Sequence, residues 1–145
     1  MQDSIEREIK VKASQEVVYK AITDPNEITK WFPDKVEGTL NSGDSPVFTF
    51  DGHAQIRIHV IEARPNEYFS YRWVPGGSGT TEDKIDDPNT LVEFFIEAAG
   101  SETKVTLKES GFASLPNDLM EEGFKQNTMG WEFMFGRLED QLKNS

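Results

Sequence analysis

The chain contains no cysteine. Disulfides, thiolate metal sites and a cysteine nucleophile are therefore excluded. Histidine is scarce as well, with only His53 and His59. On one strand these would stand about 20 Å apart at ~3.3 Å per residue. One metal could not hold both, and zinc or non-haem iron needs several converging ligands. No Gly-x-Ser-x-Gly elbow occurs, so a Ser-His-Asp hydrolase of that kind is not indicated. The glycine-rich stretch Gly76-Gly77-Ser78-Gly79 lacks the Gly-Lys-Ser/Thr ending of a phosphate loop. The acids after it, Glu82, Asp83, Asp86 and Asp87, do not match a calcium loop. No cofactor is expected.

Positive charge is also in short supply. The chain carries 15 Lys and Arg against 26 Asp and Glu, a net charge of −11. Nucleic-acid affinity rests on basic side chains neutralising phosphates, and anionic membrane surfaces attract basic segments. Neither partner is expected. The first residues are charged and lack the apolar stretch of a secretory signal, and no apolar run approaches the ~20 residues of a membrane span. A cytoplasmic location is the expectation. No internal repeat, low-complexity tract or composition shift divides the 145 residues, which read as one domain, 1–145.

What the chain does have is aromatic area: ten Phe, three Trp and three Tyr. Their placement follows two periods. Residues 4–12 alternate, with Ile5, Ile9 and Val11 on one face and charges on the other, which reads as a half-buried strand. Arg7 interrupts the apolar face as an inward charge. Ser14 caps a helix through Ile22. A second start follows at Asp24-Pro25-Asn26-Glu27, with proline at the first helical position and Glu27 where a capping box wants it, and it ends near Trp31-Phe32-Pro33. Strands are then expected at 47–51, 54–63, 68–74, 90–98 and 103–110, with an Asp51-Gly52 hairpin turn, forming an antiparallel meander. The connection 75–89 reads as a solvated loop, with a lid as the alternative. From Asn117 to Lys143, Met120, Phe124, Trp131, Phe135, Leu138 and Leu142 form a helical stripe. Gly123, Gly130 and Gly136 weaken it, and a break before Gly130-Trp131 is plausible.

The order strand, two short helices, antiparallel strands and long amphipathic helix resembles the START-like (SRPBCC, birch-pollen-allergen-like) superfamily. Within it the chain is similar to the C-terminal domain of the activator of heat-shock-protein-90 ATPase. The residues that carry the likeness are Ile9, Ala13 to Thr23, Trp31-Phe32, Thr103 to Leu107, Gly111-Phe112, Gly130-Trp131, Leu138 and Leu142. The resemblance implies an α+β helix-grip fold, a curved antiparallel sheet wrapped around the C-terminal helix. It also implies an apolar cavity between them, lined by Trp31, Phe32, Phe48, Phe50, Ile58, Tyr71, Trp73, Trp131 and Phe135. The alternative for each of these residues is ordinary core packing.

Arg7 and Glu109 share strand phase with inward apolar residues in the first and last strands. They are candidate polar contacts that could pair inside the cavity, the alternative being strand ends in solvent. Three functions follow, in this order. The first is binding of a small hydrophobic or amphipathic molecule. The second is a cavity enzyme of cyclase or hydrolase type, with Tyr71, His59, Arg7 and Glu109 as the acid–base candidates. The third is a protein-interaction domain whose acidic surface meets a chaperone partner. The activator's separate N-terminal domain has no counterpart in these residues.

Overall fold

The computed structural model describes residues 3–50, 55–75 and 79–143. Among them the chain runs β1 (Ser4–Val11), α1 (Gln15–Thr23), α2 (Pro25–Ile28), β2 (Lys35–Glu37), β3 (Val47–Thr49), β4 (Gln55–Arg57), β5 (His59–Arg64), β6 (Tyr68–Trp73), β7 (Thr90–Ala99), β8 (Glu102–Ser110), a 3₁₀ turn (Phe112–Ser114) and α3 (Asn117–Lys143). Five strands pair antiparallel in the order β1-β8-β7-β6-β5, and β2-β3-β4 form a second small sheet. This is the helix-grip α+β architecture that the element order implies. His53 and the Asp51-Gly52 turn lie outside the described residues.

The local starts are chemical. Ser14 Oγ accepts from Val17 N at 3.1 Å, satisfying an otherwise orphaned helix donor. Asp24 Oδ1 accepts from Asn26 N at 2.8 Å, one residue before Pro25 opens α2. The tight turn between β7 and β8 places Gly100 at φ 66°, where a Cβ would be strained.

Two sequence expectations are corrected. The alternation through 54–63 reads as one strand, but Ile58 divides it between two sheets. Ile58 N donates to Pro46 O at 2.9 Å and Val60 N to Asp44 O at 2.8 Å. The 44–46 stretch thus takes over the ladder at the point where the chain changes sheets. The helix break expected before Gly130 does not occur, and α3 is continuous over 27 residues. Gly130 is exposed, with nothing within 4 Å of where a Cβ would stand. Its cost is therefore conformational, and the stripe of Trp131, Phe135, Leu138 and Leu142 buried against the sheet offsets it. Gly130→Ala should accordingly raise stability by about 0.5–1 kcal/mol, read as a higher thermal midpoint. No gain, or a loss, would mean that the helix bends at Gly130 in solution.

The loop after β6 is tied down where it is described. Arg57 N donates to Thr80 O at 3.0 Å and Arg57 Nε to Thr81 O at 3.1 Å. Gly79 is buried so closely against Ile56 that a Cβ there would clash with Ile56 Cγ1. Residues 79–81 thus lie along the edge of β4, while Glu82, Lys84, Ile85, Asp86 and Pro88 are exposed, as a solvated loop would be.

Candidate functional site

The side-chain alternation of β5 to β8 and β1 brings one row of residues across the inner face of the large sheet. Val60 pairs with Tyr71, Tyr71 with Val92, Val92 with Glu109 and Glu109 with Ile5. A tyrosine and a glutamate therefore stand two strands apart, about 10 Å at ~4.8 Å per strand, on a face otherwise apolar. Both are fully buried. Around them the expected lining residues meet ring to ring. Phe32 lies 5.1 Å from Trp131, 5.1 Å from Trp31 and 5.9 Å from Trp73, centroid to centroid. Tyr71 lies 5.2 Å from Trp73 and 6.3 Å from Phe48. Phe135 reaches Phe94 at 6.3 Å, and Ile58 is fully buried in the same cluster. Phe50 alone of the nine is half-buried, at the edge of the cluster and 5.5 Å from Phe32. Phe94 belongs to this cluster too, and its place in the inward phase of β7 is the signal that marks it in the sequence.

Glu109 is the polar centre. Its Oε2 accepts from Thr90 Oγ1 at 2.5 Å and Trp73 Nε1 at 2.9 Å, and its Oε1 accepts from Trp131 Nε1 at 2.7 Å. Asn127 Nδ2 donates to both oxygens at 3.0 Å. The donors come from β6, β7 and α3, so one carboxylate ties the helix to two neighbouring strands. Burial pushes the Glu109 carboxyl above its usual range, and the Thr90, Trp73, Trp131 and Asn127 donors oppose that shift.

The expected pairing of Arg7 with Glu109 is not formed. Arg7 faces Leu107 in the ladder, on the edge strand, and its Nη1 donates to Glu6 O at 2.8 Å in an exposed position. At an edge its long side chain turns out to water, which avoids the cost of burying a guanidinium. The alternative that placed both charges in solvent holds for Arg7 but not for Glu109, which is buried and satisfied by neutral donors. Thr90 and Asn127 are neighbours of Glu109 that periodicity did not single out. The signal for them was the glutamate itself, since a buried carboxylate demands donors.

Tyr71 differs from Glu109 in one respect. Among the described residues its hydroxyl is the buried side-chain polar atom with no hydrogen-bond partner. Burial first, and the Glu109 charge second, raise its pKa well above the ordinary value, so it stays a neutral phenol with a proton to donate. An unpaired buried hydroxyl costs free energy that phenylalanine does not. Tyr71→Phe should therefore match or exceed the wild type, by up to about 1 kcal/mol in urea unfolding. A loss of that size would show that the hydroxyl is paired in solution.

His59 takes no part in this interior. Its Nδ1 meets Ser45 Oγ at 3.0 Å and its Nε2 meets Asp83 O at 3.1 Å. Among the described residues no cluster of His, Asp or Glu could hold a metal ion, and no helix is long and apolar enough to cross a membrane. An open groove of about 600 Å³ lies at the sheet rim, between Lys12 to Gln15 and the β7–β8 turn. It is lined mostly by exposed residues. The buried hydroxyl without a partner lies instead in the aromatic interior.

Comparison with known proteins places the fold. The Activator of Hsp90 ATPase homolog 1-like protein family matches residues 12–143. Among solved structures, MLL2253 from Mesorhizobium loti shares 22% identity at a TM-score of 0.80, with 98% of each chain covered. The Aha1 dimer from Colwellia psychrerythraea shares 21% at 0.78, covering 98% of this chain and 97% of that one. DynU16, encoded in the dynemicin biosynthetic locus, shares 22% at 0.79; the match covers 99% of this chain but only 48% of DynU16. These likenesses are of fold. No curated protein matches the chain by sequence. The family match runs from the end of β1 to the last turn of α3, and the chain belongs to the Activator of Hsp90 ATPase homolog 1-like family.

Proposed function

We propose that the protein binds a small hydrophobic or amphipathic molecule between the large sheet and α3. The observation that carries this reading is the Tyr71 hydroxyl, buried and unpaired among aromatic rings. Binding sites are commonly apolar enclosures with a few converging polar groups, and here the polar groups are Tyr71 and the Glu109 cluster. Phe50, half-buried and 5.5 Å from Phe32, is the lining residue that reaches the edge of the ring cluster. Glu109 already accepts from four side chains, which favours an architectural role for it over that of a free catalytic base.

Native mass spectrometry of gently purified protein, followed by denaturing extraction, tests the proposal. The expected result is a reproducible added mass that denaturation releases and that competes with an apolar probe. A clean mass together with no uptake of any apolar probe would overturn it.

A further inference from the structure

The interior also sets the charge that a bound molecule can carry, an argument that rests on the binding proposed above. Among the described residues no lysine or arginine is buried. The interior acid, by contrast, is fully buried. The indole N–H groups of Trp73 and Trp131 and the Thr90 hydroxyl all donate to Glu109, so these three are already engaged. The Tyr71 hydroxyl is left as the buried side-chain donor without a partner. It lies two strands from Glu109 in the same cross-strand row, with Val92 between them.

An anionic head group bound in this interior would be stripped of water and would meet no buried cation among the described residues. It would also lie within about 10 Å of the Glu109 carboxyl. A neutral oxygen faces neither penalty and can accept the Tyr71 proton. We infer that the interior selects neutral apolar molecules bearing a carbonyl or ether oxygen, with the Tyr71 hydroxyl donating to that oxygen, and rejects anionic amphiphiles of the fatty-acid kind.

Three probes of one ring system separate the parts of this inference: naphthalene, naphthyl methyl ketone and naphthalene carboxylate. Each is titrated against tryptophan fluorescence at about pH 8, where the carboxylate probe is ionised. The ketone should bind about five- to tenfold more tightly than naphthalene, the increment of one hydrogen bond. It should bind at least about tenfold more tightly than the carboxylate. In Tyr71→Phe the ketone should fall to the affinity of naphthalene, while naphthalene itself is unchanged. Carboxylate binding equal to that of the ketone overturns the charge selection. A ketone advantage that survives in Tyr71→Phe overturns the hydroxyl as anchor. Failure of all three probes, the hydrocarbon included, overturns interior binding itself and this selection with it.

Discussion

Glu109→Ala should lower the unfolding free energy by about 3 kcal/mol or more, measured as a shift of the urea midpoint at unchanged slope. The substitution removes one acceptor and strands the Trp73, Trp131 and Thr90 donors in an apolar interior. Each buried unpaired donor costs about 1–3 kcal/mol, and because the three share one partner their costs do not simply add. Glu109→Gln keeps the volume and one acceptor oxygen, so its loss should be smaller, about 1–3 kcal/mol. A loss below about 1 kcal/mol for the alanine variant would mean that water replaces the carboxylate and that the cluster is not sealed.

The same pair of proteins reports the protonation of Glu109. Its folded pKa is raised by burial above the ordinary carboxylate value. At acid pH the carboxyl is protonated in the folded and unfolded chain alike, and no penalty applies. As pH rises through the unfolded and then the folded value, the unfolded chain ionises first and stability drains from the folded state. The advantage of wild type over Glu109→Gln should therefore shrink with rising pH across that window. An advantage that grows would mean that the four donors outweigh burial.

Trp131→Ala is the second large effect, with an expected loss of about 3–5 kcal/mol. Trp131 packs against Phe32 at 5.1 Å, Trp73 at 5.8 Å and Phe94 at 6.0 Å. It is also one of the two α3 residues that donate to Glu109. Truncation removes ring area and a hydrogen bond together. Trp131→Phe separates them, because it keeps most of the apolar contact and should lose only about 1–2 kcal/mol. Combined with Glu109→Ala it should show coupling of about 1 kcal/mol, since both substitutions break the same bond. Strict additivity would contradict the bond between helix and sheet.

Much of this fold is legible in the sequence because its elements have strong periods. The Ile5, Ile9 and Val11 alternation, the Ser14 and Asp24 caps, and the stripe from Met120 to Leu142 each mark a single element, and each element is present. What the sequence conceals is non-local. Nothing in the alternation of Gln55 to Ala63 shows that Asp44 and Pro46 will bond to Val60 and Ile58, so the change of sheet there is invisible. A three-residue strand such as Lys35–Glu37 carries too few residues for a period. Glycine in α3 signals a break only if the helix lacks a partner surface, and the sheet supplies one.

The site divides in the same way. Strand phase alone puts Tyr71, Trp73 and Glu109 on the inner face. The pairing of Arg7 with Glu109 fails because phase says nothing about the edge of a sheet, where a long cation can leave. The donors Thr90 and Asn127 come from a loop–strand junction and a helix turn, and only the folded chain brings them to Glu109.

The three tryptophans give the most direct test of interior binding, through their indole signals in ¹H–¹⁵N spectra. Trp73 and Trp131 report the Glu109 cluster, whereas Trp31, whose Nε1 donates to Ala21 O at 2.8 Å, reports the α1 side of the same ring cluster. On titration with naphthyl methyl ketone the Trp73 and Trp131 indole protons should shift most, with little change in backbone signals of residues 12–15 and 98–103. Shifts confined to those groove residues, with both indoles unmoved, would contradict binding between sheet and helix.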